Sequence, residues 1–223
     1  MERRRRISIL TSSSTCLGAL AALFATLPLY VYYPLIPYLR FELAEIPVVL
    51  SLLILGPEPA IFSSIVYWAV LLLVGEFSPI GPTMKFVAVF TMLIGLWLGF
   101  KISKNSKMGV FLGSCLGCAL RAISMTIFNY IILVFMFPEF LRLATASVST
   151  ALGIEFSSQA AALLMIFIFT AIYNVLHVIL SVTPAYLLVK YIVEAKRGRI
   201  PIIGKTWYIE VTKAASRQAP QRS

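Results

Sequence analysis

The sequence of 223 residues is 60% hydrophobic and only 13% charged. Its mean hydropathy of +0.91 excludes a soluble globular domain, whose surface needs a larger share of polar residues. Nineteen basic residues oppose nine acidic ones, and the net charge of +10 would by itself also suit a nucleic-acid-binding protein. The basic residues, however, flank apolar runs, as they do on the cytoplasmic side of membrane proteins. We therefore expect an all-α, multi-pass protein of the cell membrane that contacts the lipid bilayer and no nucleic acid.

The first apolar run, residues 7–27, follows four consecutive arginines. A basic start before an apolar run is also typical of a signal peptide. Because further hydrophobic segments follow, an uncleaved first transmembrane helix accounts for more of the sequence, with its start in the cytoplasm. Ala21 and Ala25 are small residues four positions apart on this helix, a spacing that lets a second helix approach closely. That second helix could belong to this chain or to a partner.

An outer loop is predicted after this helix. Residues 28–38 contain three prolines and four tyrosines, a composition typical either of an aromatic belt at the membrane surface or of a loop that covers a pocket. Arg40, Glu42 and Glu45 follow, in the one polar passage between two apolar segments. In so apolar a protein, three ionisable residues this close together lie in water, at the membrane surface or in a site that uses them. Our hypothesis is a site. We expect Glu42 and Glu45 to contact a ligand.

Further apolar segments complete a predicted six-helix transmembrane bundle. They are Ile46–Leu55 and residues 60–74, 83–100, 108–137 and 160–193. Ile46–Leu55 would cover only about 15 Å, so the sequence leaves open whether it spans the bilayer. Lysines follow the fourth segment and basic residues follow the sixth, which places both termini in the cytoplasm. Residues 138–158 are expected to form an outer connection.

Glycines repeat every fourth residue on the two segments that flank the lysine-rich turn. Gly95 and Gly99 precede this turn, and Gly109, Gly113 and Gly117 follow it. Small residues at this spacing allow close helix packing in membranes. We expect these two helices to pack against each other.

Two parts of the chain are predicted: a transmembrane substrate-binding domain over residues 1–197 and a basic, flexible cytoplasmic tail over residues 198–223. The tail contains a sequence similar to a phosphate-binding loop at residues 198–206. It has five residues between its glycines where that loop has four, and it lacks the strand-to-helix context. No nucleotide site is expected there.

The chemistry-bearing residues favour binding over catalysis. His177 is the only histidine, too few for a zinc site or for the usual catalytic arrangements. Cys115 and Cys118 have the spacing of a redox or zinc motif but lie within an apolar run, where small buried residues are the better interpretation. We expect neither an enzyme nor a metal or cofactor site.

Several polar residues are predicted to reach one cavity in the outer half of the bundle. Asn174 and His177 share a face of the sixth helix, and polar groups in membranes normally face the bundle interior. Arg121 lies deeper and is expected to pair within the bundle. The predicted ligand-binding residues are Glu42, Glu45, Lys85, Asn129, Asn174 and His177.

A series of short motifs resembles a known family. The series is Tyr38 to Pro47, Leu55-Gly56-Pro57, Ser78-Pro79-Ile80-Gly81, Asn129-Tyr130 and Tyr173-Asn174. In order and approximate spacing it is similar to the substrate-capturing S components of energy-coupling-factor vitamin transporters, most of all to the riboflavin-specific branch. The resemblance implies a six-helix bundle that takes up a vitamin from outside and has no catalytic activity.

The resemblance also implies partners. S components dock through small residues of the first helix, here Ala21 and Ala25, onto a membrane coupling subunit that is attached to two ATPase subunits. Three features depart from the riboflavin branch. His177 stands where that branch has lysine, Lys85 stands where it typically has asparagine, and the glycine expected soon after Gly56-Pro57 is missing. The resemblance therefore favours riboflavin as the ligand and leaves another vitamin as the alternative.

Two further hypotheses remain on the sequence alone. A helical membrane scaffold would pair Asn174 and His177 tightly within the bundle and would need no pocket. A small intramembrane enzyme would need a second catalytic group near His177.

Overall fold

The computed structural model of the protein describes residues 2–103, 106–195, 207, 208 and 210. Most of the predicted basic tail, including the segment similar to a phosphate-binding loop, therefore lies outside the described residues. The elements within them are α1 (Glu2–Thr26), β1 (Tyr30–Tyr32), β2 (Arg40–Glu42), α2 (Ile46–Leu55), α3 (Pro57–Val74), α4 (Ile80–Ile102), α5 (Ser106–Ile131), a π-helical turn (Ile132–Met136), α6 (Pro138–Leu152) and α7 (Gln159–Ala195).

Five helices in the described part of the chain are long and apolar enough to cross a membrane. They are α1, α3, α4, α5 with its π-helical turn, and α7. The remaining predicted crossing, the second in chain order, corresponds to α2, a shorter apolar helix of ten residues. The mostly helical, multi-span architecture expected from the sequence is thus present, whereas the cytoplasmic location of both termini stays a prediction.

The short helix α2 begins near the middle of the bundle, at Ile46. It ends at Gly56, whose φ of 109° is accessible to glycine at little cost and lets the chain reverse into α3. Trp207 packs beside Gly56 and against Phe100 near the end of α4. From Gly56 back to Ile46, helix α2 covers only about 15 Å, which is about half the thickness of a hydrocarbon core. The polar passage before α2 therefore descends into the bundle and does not stay at its outer surface.

The descending segment contains the hairpin of β1 and β2. The strands are antiparallel, with Tyr30 opposite Glu42 and Tyr32 opposite Arg40. Tyr33 and Ile36, in the connection between the strands, are buried in an apolar cluster with residues of α6 and α7. The tyrosine-rich loop thus packs onto the bundle.

The glycine repeats bring α4 and α5 into close contact, as predicted. A side chain at Gly95 would collide with the backbone of Gly117, and one at Gly99 with the backbone of Gly113. These positions need glycine because the backbones themselves touch.

The predicted outer connection over residues 138–158 contains helix α6, an element that the sequence interpretation did not recognise. Pro138 begins the helix, a position that proline favours, and Gly153 ends it at a φ of 66°. Leu141, Ala144 and Val148 face inward and are buried. Their spacing of three and four residues is a helical pattern that the sequence interpretation overlooked.

The small residues of α1 pack within the chain. Ala21 is fully buried and Ala25 is 6% exposed, and both belong to the main apolar core. A side chain at Gly18 would collide with the carbonyl oxygen of Ser63 on α3. Of the two alternatives for this face, the structure favours packing against the chain's own helices, so Ala21 and Ala25 are not open to a partner in this conformation.

Candidate functional site

A cavity of about 440 Å³ lies between the hairpin, the loop after α3, and the parts of α4, α5 and α7 nearest to them. This volume is within the range of about 300–1,000 Å³ that is typical of small-molecule sites. The cavity wall includes both elements that the sequence described as outer, namely the tyrosine-rich loop and, through Phe140, α6. The loop after α3 also contributes to the wall.

The structure brings three of the six predicted ligand-binding residues to the cavity wall, namely Lys85, Asn129 and Asn174. Glu42, Glu45 and His177 are buried but do not line the cavity. They lie behind the wall and hold lining residues in place. Sequence reasoning missed Tyr38 as a lining residue and placed Arg121 only in the bundle, although Arg121 also lines the cavity.

The floor of the cavity is fixed by a buried ion pair between Arg121 and Glu45. The guanidinium donates through Nη1 to Glu45 Oε2 at 2.5 Å and through Nη2 to Oε1 at 2.8 Å, the bidentate geometry that favours arginine. Ser181 Oγ donates to the same carboxylate at 3.0 Å. The pair ties the start of α2 to α5 and α7.

Asn174 is already used by this network. Its Oδ1 accepts from Arg121 Nε at 2.9 Å, and its Nδ2 donates to the Thr170 carbonyl oxygen at 2.8 Å. Although Asn174 lines the cavity, both ends of its amide have partners. Its role in the structure is to orient Arg121.

A second group of charges surrounds Glu42. Lys85 Nζ lies 2.5 Å from Glu42 Oε1, and the Tyr67 hydroxyl donates to the same oxygen at 3.4 Å. Arg40 Nε lies 3.6 Å from Oε2, and Arg40 Nη1 lies 3.1 Å from Glu76 Oε2 at the exposed edge. Partial burial opposes the charge of Arg40, but both carboxylates outweigh it and raise the pKa of the guanidinium.

The three cations of the cavity wall are therefore balanced. Arg40, Lys85 and Arg121 all line it, and each has a carboxylate partner. A charged ligand would have to compete with one of these pairs or add an uncompensated charge, which is costly in a buried site. The wall favours an uncharged ligand.

Two neutral polar groups at the cavity have no partner among the described residues. The Tyr38 hydroxyl and Asn129 Nδ2 are buried and make no hydrogen bond, and both residues line the cavity. Burial raises the pKa of the Tyr38 phenol, so it remains a neutral donor. Unpaired buried polar groups cost free energy, and a ligand with matching groups would remove that cost.

Flat aromatic surfaces occupy the outer part of the wall. The ring of Phe140 lies 5.8 Å from that of Tyr38 and 5.3 Å from that of Phe77. All three residues line the cavity. Aromatic walls with a few placed polar groups are typical of sites for planar organic ligands.

His177 joins the descending segment to α7. Its Nδ1 lies 3.0 Å from the Tyr173 hydroxyl and its Nε2 lies 3.2 Å from the Glu42 carbonyl oxygen. His177 and Asn174 are therefore both paired within the bundle, as the scaffold hypothesis requires. That hypothesis does not account for the cavity or for its two unpaired groups.

Comparisons with known proteins point to one fold. No protein-family model matches the chain, and no curated protein matches it. A solved structure described as the S component of a bacterial ECF transporter is similar, with a TM-score of 0.63 and 19% sequence identity. The match covers 87% of this chain and 98% of that one, so the two share a fold over almost their full lengths.

Proposed function

We propose that this protein is the substrate-binding subunit of a vitamin transporter of the energy-coupling-factor type, and that it captures riboflavin from outside the cell. The observation that carries the proposal is the pair of unpartnered polar groups, Tyr38 hydroxyl and Asn129 Nδ2, at one cavity. A scaffold gains nothing from them, whereas a binding protein needs free groups to recognise its ligand. The shared fold supports the transporter class.

Riboflavin fits the chemistry of the wall. It is uncharged at neutral pH, as the balanced ion pairs of the cavity favour. Its planar ring system suits the aromatic surfaces of Tyr38, Phe77 and Phe140, and its ring carbonyls are acceptors for Asn129 Nδ2. Vitamins that carry a carboxylate or a fixed positive charge suit this wall less well.

Energy for uptake would come from other proteins. In this proposal a membrane coupling subunit and two ATPase subunits drive release of the vitamin into the cell. Because Ala21 and Ala25 are buried against the chain's own helices, we do not assign the docking surface to them.

The experiment is to purify the protein in detergent and to titrate it with riboflavin, following the quenching of flavin fluorescence. We expect saturable binding at one site per chain, and flavin absorbance in protein from cells grown with riboflavin. Competition with a carboxylate-bearing vitamin and with a cationic vitamin tests the charge argument. A folded protein that binds none of these compounds would favour the scaffold hypothesis.

A further inference from the structure

A second cavity adjoins the first and shares part of its wall. It has a volume of about 200 Å³ and lies between the end of α1, the hairpin, the end of α3 and the start of α4. Arg40, Glu76 and Lys85 line both cavities. Three charged residues thus lie where the two cavities meet.

The two cavities differ in polarity. Most of the wall of the first cavity is apolar, whereas most of the wall of the second is polar. Besides the three shared residues, Thr26 and Tyr30 contribute hydroxyl groups to the second cavity alone. A ligand that extends across both cavities therefore needs a flat apolar part and a polar part.

The charged residues between the cavities have hydrogen-bonding capacity that their ion pairs do not use. The Lys85 ammonium has three N–H donors, and its one partner in the described part of the chain is Glu42. Arg40 Nη1 donates to both oxygens of Glu76, at 3.2 and 3.1 Å. Each oxygen of this carboxylate can accept a further hydrogen bond.

A hydroxyl group matches this remaining capacity because it is uncharged and both donates and accepts. It can accept from Lys85 or Arg40 and donate to Glu76 while both ion pairs stay intact. A carboxylate or an ammonium group in the same place would add a charge without a partner, which is costly in a partly buried site. The second cavity therefore suits a chain of hydroxyl groups.

We propose that the second cavity is a subsite for a hydroxylated, uncharged tail of the ligand, whose planar ring system occupies the first cavity. This inference rests on the proposed function and extends it to a part of the ligand that the aromatic wall does not recognise. Riboflavin has such a tail in its ribityl chain. Residues that line only the second cavity, such as Tyr30, then distinguish riboflavin from the bare ring.

The test compares riboflavin with lumiflavin, which has the same ring system with a methyl group in place of the ribityl chain. Quenching of flavin fluorescence gives both affinities in the full-length protein purified in detergent. We expect riboflavin to bind at least about tenfold more tightly, as expected when the tail makes two hydrogen bonds of ordinary net strength.

Two variants change residues that line the second cavity and not the first. Tyr30→Phe removes a hydroxyl group and keeps the ring, whose centroid lies 4.7 Å from the Arg40 guanidinium carbon. Val74→Phe narrows the cavity. Each should weaken riboflavin binding about three- to tenfold, through hydrogen bonds lost by the tail, and leave lumiflavin binding unchanged. Leu73→Phe is the matched control, since Leu73 is 86% exposed and lines neither cavity.

Melting temperatures of all variants show that the fold is kept. Equal affinities of the unsubstituted protein for the two flavins would overturn the inference and leave the proposed function in place. Losses of the same size for both flavins, or unchanged riboflavin binding in both Tyr30→Phe and Val74→Phe, would also overturn it. If the folded protein binds neither flavin, the proposed function fails and this inference fails with it.

Discussion

At the scale of single residues, Asn129 and Asn174 look alike in sequence but differ in their hydrogen bonds. The sequence predicted both as ligand contacts, because an amide can donate and accept. In the structure only Asn129 has an unpaired buried group, whereas Asn174 supports Arg121. Residue type could predict that both side chains point inward. It could not predict which of the two is already hydrogen-bonded to another side chain.

Asn129→Ala should therefore lower the affinity for riboflavin by about three- to tenfold, as expected for the loss of one hydrogen bond, with little change in melting temperature. Asn174→Ala should lower both the affinity for riboflavin and the melting temperature, because it leaves Arg121 Nε buried without a partner. Binding titrations and thermal melting of the two variants, compared side by side, check this. Equal effects of both substitutions on stability would contradict the distinction.

The hydroxyl of Tyr38 offers a second comparison at this scale. Tyr38→Phe removes a buried group that has no partner, so we expect unchanged or higher thermal stability together with weaker binding of riboflavin. Tyr33, in the same loop, is buried but does not line the cavity, and Tyr33→Phe is the matched control. Tighter binding by Tyr38→Phe would show that its hydroxyl does not contact the ligand.

At the scale of elements, the apolar runs predicted most of the long helices because hydrophobic length alone decides which segments can cross a bilayer. The same criterion gave no helix within residues 138–158, where polar residues concealed the helical spacing of the buried side chains of α6. Hydrophobic length also does not indicate how deeply the polar passage before α2 enters the bundle. That depth follows from the reversal at Gly56 and from the ion pair of Glu45 with Arg121, both of which depend on residues distant in sequence.

Close packing of α4 on α5 predicts a large effect of a single methyl group. In Gly99→Ala the new side chain would meet the backbone of Gly113, which cannot move without separating the helices. Overpacking of this kind costs about 1–3 kcal/mol, so we expect a lower melting temperature in detergent. Ser114→Ala, next to the contact on α5, should have little effect, and equal melting of both variants would argue against direct backbone contact.

The ion pair of Glu45 and Arg121 holds α2 against α5 and α7. Removing one partner leaves the other charge buried and should cost about 3–5 kcal/mol. Glu45→Gln and Arg121→Met should each destabilise the protein strongly, while the double variant should lose much less than the sum. Denaturation of the four proteins gives the coupling between the two sites, and additive losses would show that the pair is not coupled.

At the scale of the whole molecule, the orientation in the membrane rests on charge alone. Four arginines lie at the start of α1 and Lys101 lies in the last turn of α4, and positive residues favour the cytoplasmic side. The hairpin and α6 lie at the opposite ends of the helices, so the cavity is predicted to open outward. In the opposite orientation the cavity could not take up a ligand from outside.

Cysteine labelling in intact cells tests this orientation. We expect a cysteine at Thr150, which is exposed on α6, to react with a membrane-impermeant maleimide added outside. A cysteine at Lys101 should react only after the membrane is permeabilised. The three native cysteines lie within candidate spans, and the unsubstituted protein measures their background reaction. The reverse pattern of labelling would place the cavity on the cytoplasmic side and would exclude capture of a vitamin from outside.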